Sequence, residues 1–365
     1  MTKASVDTMT YEEAVERIPD DPNLEFWVGS LEALEDQLRS LEHGSIAKLP
    51  DSAGGRPVRL VTYGAFEEPE SRANFNSAVA SRDPTNYADR ERREKPVVCF
   101  VGPVHGHEVE GLTGLCSLLS ILETGRDLRG RAQPTLRELT DECRVVILPC
   151  GNPDGLARFE PDSLQGLTLA DLEFWGQGTW ADDRLIGWPD AKQLHPMTGD
   201  DVGFLGCYFN DDGVNPMHDE PFAPMGVEAP AILDVVRREA PDVTVSLHSH
   251  GYPPTLHRPQ FVPLQKQADS RSIHRAYNTL LADLDVPRLY LHDVTGESGR
   301  PGPYFNLVSA AYHVSGTTGV LHECPHGLSG DDVFQINHEG ILDVQLALYE
   351  AILRHAVDPV EPAES

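Results

Sequence analysis

The chain has 365 residues and a formal net charge of −29, from 29 Lys and Arg against 58 Asp and Glu. Such a negative field repels nucleic acid and anionic membrane surfaces, so we expect neither as a partner. No segment has the roughly 18 consecutive apolar residues of a membrane-spanning helix. The N-terminal residues also lack the apolar core of a signal peptide.

The six cysteines show no paired spacing that would indicate a disulfide framework. We interpret them as reduced core residues, with Cys150 and Cys324 near the site described below, and this predicts a cytoplasmic protein. The acidity has two explanations, a surface that stays hydrated in high salt or the ordinary acidity of a protein from a GC-rich genome. The first indicates a halophilic source and predicts a stability that rises steeply with molar salt.

The first 50 residues are predicted to form a helical N-terminal extension. A strand is predicted over 58–63, and the charged stretch 71–95 is predicted to be a loop. The helical prediction rests on an apolar stripe at spacings of three and four, formed by Leu31, Leu34, Leu38 and Leu41.

A buried strand over 97–104 leads into the first group of chemically active side chains. Its apolar run ends at His105 and Glu108, which lie three residues apart where the strand gives way to a helix. That spacing lets an imidazole nitrogen and a carboxylate oxygen reach one ion, and zinc accepts both ligands. His107 and Glu110 repeat the spacing two residues later, so the register of the pair stays open at this point.

The next strand, over 144–148, leads into the turn Asn152-Pro153-Asp154-Gly155. Residues 156–225 follow without a regular pattern. They hold Trp175, Trp180 and Trp188 among Gly, Asp and Pro. So long an irregular stretch inside a compact domain is usually functional. We expect it to form one wall of the pocket or, alternatively, a satellite cluster that holds the segment closed.

The C-terminal part alternates helices and strands, which predicts an α/β fold with helices on both faces of the sheet. Two of its strands end at His248 and Glu323. The predicted elements are helices over 227–239, 270–284 and 338–357, strands over 243–247, 288–291 and 318–322, and a disordered tail over 358–365. Because strand ends converge on one edge of such a sheet, His and Glu from these ends can meet. Two His and one Glu form a known catalytic zinc set with one open position.

The motifs, taken in order over residues 97–327, resemble those of the zinc carboxypeptidase (carboxypeptidase A-like) family. They are a His-Gly-x-Glu turn with Gly106 and Gly111 in register, the Asn-Pro-Asp-Gly turn, Ser246-Leu247-His248-Ser249, and Val320-Leu321-His322-Glu323. The resemblance implies that His105, Glu108 and His248 bind one zinc ion, with Glu323 as general base and His107 beside the ligands. It also implies a mixed, mostly parallel central sheet of about eight strands, in a single catalytic domain over 51–357.

The chain departs from the family where members bind substrate. The family's Asn-Arg pair uses the Arg to bind the free carboxylate of the substrate. Here Asn210 is in place, but Asp211 follows it and would repel that carboxylate. Either another arginine acts, with Arg158, Arg258 and Arg300 as candidates, or the substrate lacks the group. A simpler explanation is that Asp211 and Asp212 only cap a turn.

Two further family positions have candidates in this chain. Arg158 is the first candidate for the arginine that polarises the scissile carbonyl, and Arg184 is the other. Tyr304 is placed like the family's substrate-contacting tyrosine, with Tyr312 as the alternative. Each of these side chains could equally be an ordinary surface or loop residue.

The sequence therefore predicts a zinc-dependent hydrolase of a peptide or peptide-like amide, a metallocarboxypeptidase of an atypical bacterial or archaeal type. One alternative is a deacylase or amidase of small N-acyl amino acids, which requires a narrow pocket. The other is a catalytically silent binding protein that keeps zinc. Retention of Glu323 argues against silence, because binding alone needs no base there.

Overall fold

The computed structural model describes residues 8–19, 24–70, 73–83, 86–90, 92–188, 190–192, 194–257, 259–287 and 305–359. The strands within these ranges are β1 Ser45–Lys48, β2 Arg59–Tyr63, β3 Val97–Val101, β4 Arg144–Leu148, β5 Gly178–Trp180, β6 Val202–Leu205, β7 Val243–His250, β8 Thr255–His257 and β9 Thr318–Pro325. The α-helices are α1 Tyr11–Glu16, α2 Leu31–Arg39, α3 Phe75–Ala80, α4 Val109–Thr124, α5 Pro134–Asp141, α6 Pro153–Arg158, α7 Leu169–Leu172, α8 Glu228–Glu239, α9 Leu264–Asp283, α10 Leu307–Ser315 and α11 His338–Val357.

The central sheet has seven strands in the order β1-β2-β4-β3-β7-β9-β8. The four inner strands β4, β3, β7 and β9 run parallel, and antiparallel strands close both edges. This confirms the predicted mixed sheet with a parallel centre, with seven strands in the described residues where about eight were expected. The predicted strand over 288–291 lies outside those residues.

The inner strands are buried on both faces, which explains why they read as continuous apolar runs rather than as alternating ones. All five residues of β3 and all five of β4 are buried. Val98 and Phe100 face one core, shared with α4 and α11, while Cys99 and Val101 face a second core, shared with α8 and α10. Two helical layers therefore cover the sheet, as predicted.

Helix ends mostly follow local capping chemistry. Gly125 adopts a left-handed conformation, with φ of 74°, and ends α4 where the sequence predicted a stop. Asn337 caps α11, whose bounds equal the predicted ones. Helix α9 begins at Leu264, six residues before the predicted start, because its first turns are polar and carry no apolar period.

The N-terminal part differs from its helical prediction at one place. Leu34 and Leu38 of α2 are buried in the main core, as the stripe required. Residues 45–48, however, form the edge strand β1. All four of its side chains are exposed, so the sequence shows no alternation of apolar and polar residues there. The predicted loop over 71–95 contains the short helix α3, which Asn74 caps. Residues of the predicted extension thus contribute both a strand and core side chains.

The segment 156–225 contains more local structure than the sequence indicated. Besides α7, it holds a π-helix over Glu173–Gln177, a separate β5–β6 hairpin sheet, and 3-10 turns at Asp190–Lys192 and Pro216–His218. A small apolar cluster holds it together, formed by Ile186, Ala191, Met197 and Phe209. Trp175 is instead buried in the main core. The segment is therefore a folded layer attached to the sheet.

All six cysteines are buried and unpaired. Every helix in the described ranges is too short or too polar to cross a lipid bilayer.

Candidate metal centre

Three neighbouring strands bring the predicted site residues together. His105 and Glu108 follow β3, and β7 and β9 carry His248 and Glu323. The sheet order places β7 between β3 and β9, and His248 pairs directly with Glu323 in the β7–β9 ladder. The carboxyl ends of parallel strands meet at one edge, which is where a site in this class of sheet is expected.

His105, Glu108 and His248 are buried and direct their ligand atoms at one point. Nδ1 of His105 lies 2.8 Å from Glu108 Oε1, and Nδ1 of His248 lies 2.9 Å from Glu108 Oε2. The two Nδ1 atoms are 3.2 Å apart. In a tetrahedral zinc site with bonds of about 2.0–2.1 Å, ligand atoms lie about 3.3 Å apart. The triangle is thus only slightly smaller than a zinc site requires.

The outer nitrogens of both rings have partners that fix which nitrogen faces inward. Nε2 of His105 lies 3.2 Å from Asn215 Oδ1, and this oxygen also accepts a hydrogen bond from the Met217 amide. Nε2 of His248 lies 2.9 Å from the hydroxyl of Ser246. Because an amide oxygen only accepts, a neutral His105 carries its proton on Nε2 and directs the lone pair of Nδ1 at the Glu108 carboxylate. Such partners are typical of metal-binding histidines.

A cation resolves the repulsion that this arrangement creates. A lone pair and a carboxylate oxygen 2.8 Å apart repel each other unless a positive charge lies between them. Oε2 of Glu108 also receives no hydrogen bond of acceptable geometry from the described residues. Two imidazole nitrogens and one carboxylate are a ligand set that zinc accepts. The residues present therefore fit a zinc ion.

The ionisation states of the ligands suit the same purpose. Burial raises the pKa of Glu108, but interactions with His105 and His248 outweigh it and hold that pKa well below its usual range. Burial lowers the pKa of His248, which favours the neutral imidazole that binds a metal. Deprotonated ligands are what metal binding requires.

The alternative pair His107 and Glu110 points away from this centre. Glu110 lies 2.9 Å from Nδ1 of His326, and all three side chains are completely buried. Neither ring nitrogen of His107 has a hydrogen-bond partner among the described residues, and burial lowers its pKa well below the usual value. Among the described residues, only His105, Glu108 and His248 group as candidate ligands, so the geometry favours the first register.

The Asn-Pro-Asp-Gly turn holds the ligand loop in place. The Asn152 side chain donates to the Val104 carbonyl and accepts from the Gly155 amide. Gly106 packs so closely on this turn that a Cβ atom would lie 2.0 Å from the Gly155 carbonyl carbon. The glycine between the two predicted ligands is therefore required by close backbone approach.

A cavity of about 460 Å³ opens over the candidate ligands. Glu323 lies in its wall. Burial, followed by the charge of Glu108, raises the pKa of Glu323 well above its usual range, while the charge of Lys192 opposes the rise. The apolar part of the wall comes from Leu169, Leu172, Trp188, Tyr208, Met217, Tyr252 and Leu321.

Several residues around this centre were not assigned a role from sequence patterns. The Tyr208 ring lies 4.1 Å from the His105 ring, centroid to centroid, and lines the cavity. Lys192 and Trp188 reach the cavity from the segment 156–225. Asn215 belongs to the same segment and holds His105. None of them has a sequence signal of its own, because each acts through a fold that brings distant segments together.

The structure does not bring Arg158, Asn210 and Asp211 to the cavity wall. Arg158 forms an ion pair with Asp211 and donates to the Phe209 carbonyl. Asp211 also pairs with Arg56, 2.7 Å away. The Asn210 side chain closes its own turn by accepting from the Val214 amide. In this structure the three side chains thus contact one another, Arg56 and the turn, and Asp211 pairs with two arginines rather than only capping a turn.

The remaining candidates fall outside the cavity or outside the described residues. Arg184 is paired with Asp182 at 2.7 Å, and Tyr312 packs on Phe75. The predicted substrate-binding residues Tyr304 and Arg258, and the candidate Arg300, lie outside the described residues.

Comparison with known proteins supports the resemblance read from the motifs. The family model for zinc carboxypeptidase matches residues 36–183. The matched range contains His105, Glu108 and the Asn-Pro-Asp-Gly turn, but not His248 or Glu323. No curated protein matches the chain in sequence. The resemblance to the zinc carboxypeptidase family is thus confirmed over the part of the chain that carries the first two candidate ligands.

Solved structures confirm the fold. A metallo-carboxypeptidase from Burkholderia cenocepacia superposes with a TM-score of 0.54 at 18% identity, covering 88% of this chain and 67% of that one. A protein from Shewanella denitrificans, proposed to be a carboxypeptidase A, superposes with a TM-score of 0.56 at 14% identity, covering 91% and 70%. At these identities the similarity is one of fold.

Proposed function

We propose that this zinc carboxypeptidase-like chain hydrolyses an amide bond in peptides or peptide-like substrates, with one zinc ion bound by His105, Glu108 and His248. One observation carries the proposal. Two imidazole Nδ1 atoms and a buried carboxylate meet at distances of 2.8–3.2 Å in the wall of a cavity that also contains Glu323. Metal-dependent amide hydrolysis uses a general acid–base group beside a metal site of this kind.

The residues of the chain would divide the work as follows. Zinc bound there supplies Lewis-acid polarisation of a carbonyl and lowers the pKa of a water molecule to about 7. Asn215 and Ser246 hold the two imidazole rings so that both Nδ1 atoms stay directed inward. Glu323 accepts a proton from the attacking water and donates it to the leaving nitrogen.

The cavity supports a peptide substrate over a small N-acyl amino acid. A deacylase of small substrates requires a narrow pocket, whereas about 460 Å³ lies within the usual range for larger ligands. Trp188 and Tyr252 are 56% and 53% exposed in its wall, which offers apolar surface to a substrate side chain. The six unpaired cysteines support the cytoplasmic compartment that belongs to the same proposal.

The test is mass-spectrometric profiling of a mixed library of peptides and N-acyl amino acids with the zinc-loaded protein. Glu323→Gln should lower turnover about 10²- to 10⁴-fold, the usual range for a general acid–base group, without loss of zinc. Glu350→Gln is the matched control, because Glu350 pairs with Arg354 on α11 and does not line the cavity.

The products separate the alternatives. Removal of single C-terminal residues, absent after chelation and in Glu323→Gln, would establish a carboxypeptidase. Cleavage of acyl amides alone would make the chain a deacylase. Tight zinc binding without turnover of any library member would contradict the proposal and favour the binding protein.

A further inference from the structure

The cavity contains a lysine that the proposed mechanism does not use. Lys192 ends the 3-10 turn Asp190–Lys192 in the segment 156–225 and lines the same cavity as Glu323. It is one of only five lysines in the chain. Among the described residues that line this cavity, no other lysine or arginine is present. The attached segment, rather than the sheet, thus brings a basic side chain to the site.

The position of this lysine is fixed by its neighbours. Ala191, directly before it, is 2% exposed and packs in the apolar cluster with Ile186, Met197 and Phe209. The Nζ atom lies 4.9 Å from the centre of the Trp188 ring, which lines the cavity as well. Lys192 and Glu323 line the same cavity, where burial lowers the pKa of Lys192 and the charge of Glu323 raises it.

The arginines that could have bound an anion have other partners. Arg158 and Arg56 both pair with Asp211, and Arg56 also lies 2.8 Å from Asp154. Neither guanidinium lines the cavity. The cavity wall also includes the carboxyl groups of Glu108 and Glu173, while the raised pKa of Glu323 favours its uncharged form. Apart from a metal ion at the candidate centre, Lys192 is thus the basic side chain of the described cavity wall that can pair with a substrate carboxylate.

We propose that Lys192 binds a carboxylate of the substrate and selects for substrates that carry one near the scissile amide. This inference rests on the function proposed above and deepens it. The carboxylate accepts a charge-assisted hydrogen bond from Nζ, which is strong where water is scarce. Trp188 supplies apolar contact to the neighbouring part of the substrate. The carboxylate comes from either the free C-terminus or an acidic side chain, and the two sources are separable by experiment.

The test uses four dipeptides in two matched pairs. N-acetyl-Leu-Phe and its C-terminal amide differ in the terminal carboxylate. The C-terminal amides of N-acetyl-Leu-Glu and N-acetyl-Leu-Gln differ in the side-chain carboxylate. Lys192→Gln removes the charge, Lys192→Arg keeps it, and Lys48→Gln removes a lysine charge from the exposed edge strand β1. Hydrolysis is measured with the active protein, and calorimetric binding with zinc-loaded Glu323→Gln.

We expect the wild type to prefer the carboxylate member of one pair. Lys192→Gln should lower kcat/KM for that member about 10- to 100-fold, as expected for a lost hydrogen bond to a charged group, and change its uncharged match less than about twofold. Lys192→Arg should retain most of the preference, and Lys48→Gln all of it. The pair that responds identifies the source of the carboxylate.

Two results would overturn the inference. One is a wild type that treats both members of each pair alike, which needs no variant and holds even if Lys192→Gln fails to fold. The other is an unchanged preference in Lys192→Gln, which would leave the proposed hydrolysis intact. Conversely, a Lys192-dependent preference in binding without turnover of any peptide would support the inference while the proposed hydrolysis fails.

Discussion

The candidate metal centre and the segment 156–225 meet in one cavity but are built on different principles. The centre stands at the ends of β3, β7 and β9, where the ladder register places His248 opposite Glu323 and the loop after β3 carries His105 and Glu108. The segment consists of short turns and a two-stranded sheet around a small apolar cluster. Under the proposed function, the strands would supply the reacting groups and the segment would supply contacts that select a substrate. Substitutions in each region should therefore have separable effects.

Gly106→Ala should have the largest effect, because it disturbs the place where the two regions join. The Gly106 amide donates to the Cys207 carbonyl, and an added Cβ would overlap the Gly155–Leu156 backbone at 2.0 Å. We expect a loss of at least about 3 kcal/mol in the free energy of unfolding.

Gly130→Ala is the control for this substitution. It faces open space at φ of 77° and should cost only about 1–2 kcal/mol. Chemical denaturation measures both variants. Equal costs would show that the join is not tightly packed.

His248→Ala should abolish the chemistry and leave the segment folded. It removes one of the three candidate ligands. Loss of a residue that only holds a ligand in place lowers metal affinity by up to about 100-fold, so loss of the ligand itself should lower zinc affinity and hydrolysis by more than that. Zinc content by mass spectrometry and peptide turnover measure the effect. The exposed His43, which contacts Glu123, provides the control His43→Ala. Full zinc occupancy in His248→Ala would contradict the assigned ligand set.

Asn215→Ala tests a coupling between the regions, since Asn215 belongs to the segment but holds His105. Zinc affinity should fall about 10- to 100-fold, because the ring loses the acceptor that fixes its orientation. Asn74→Ala is the matched control. Both residues cap a helical turn, but Asn74 caps the distant α3. Competition with a fluorescent zinc chelator measures the affinity. Equal zinc affinity in the two variants would remove Asn215 from the site.

Trp188→Ala should have the smallest effect and touch only substrate binding. The side chain is 56% exposed, so its loss should change the free energy of unfolding by less than about 0.5 kcal/mol. KM for peptides with apolar side chains should rise up to about tenfold with kcat and zinc content unchanged, and Trp188→Phe should recover part of it. A fall in kcat with KM unchanged would instead place Trp188 in the chemistry.

The same contrast explains what could be predicted from the sequence. His105, Glu108, His248 and Glu323 all stand at or just after buried strands, and a strand end is recognisable from its apolar run. Parallel strands bring these ends to one edge of the sheet, whatever the length or sequence of the connecting loops. The α/β class and the bounds of α11 could also be predicted, because buried apolar residues recur at a regular spacing in the sequence.

The features that were not predicted depend on contacts that leave no regular spacing of apolar residues in the sequence. Strand β1 exposes all four side chains, so nothing in Ser45–Lys48 distinguishes it from a loop. The ion pair of Arg158 with Asp211 was not predicted, because the two residues are 53 positions apart and no local spacing indicates it. Trp188 lies in the segment that was expected to form a pocket wall, but Lys192 was missed, because a turn held by one buried alanine has no sequence signature.

The ladder between β7 and β9 has a consequence for how this site tolerates change. His248 and Glu323 stand opposite each other within eight consecutive paired residues, Val243 with Thr318 through His250 with Pro325. Neighbouring strands lie about 4.8 Å apart, so backbone hydrogen bonding sets the interval between the candidate ligand and the candidate base. The chain between the two strands can therefore lengthen, shorten or diverge while the spacing of these two residues stays the same.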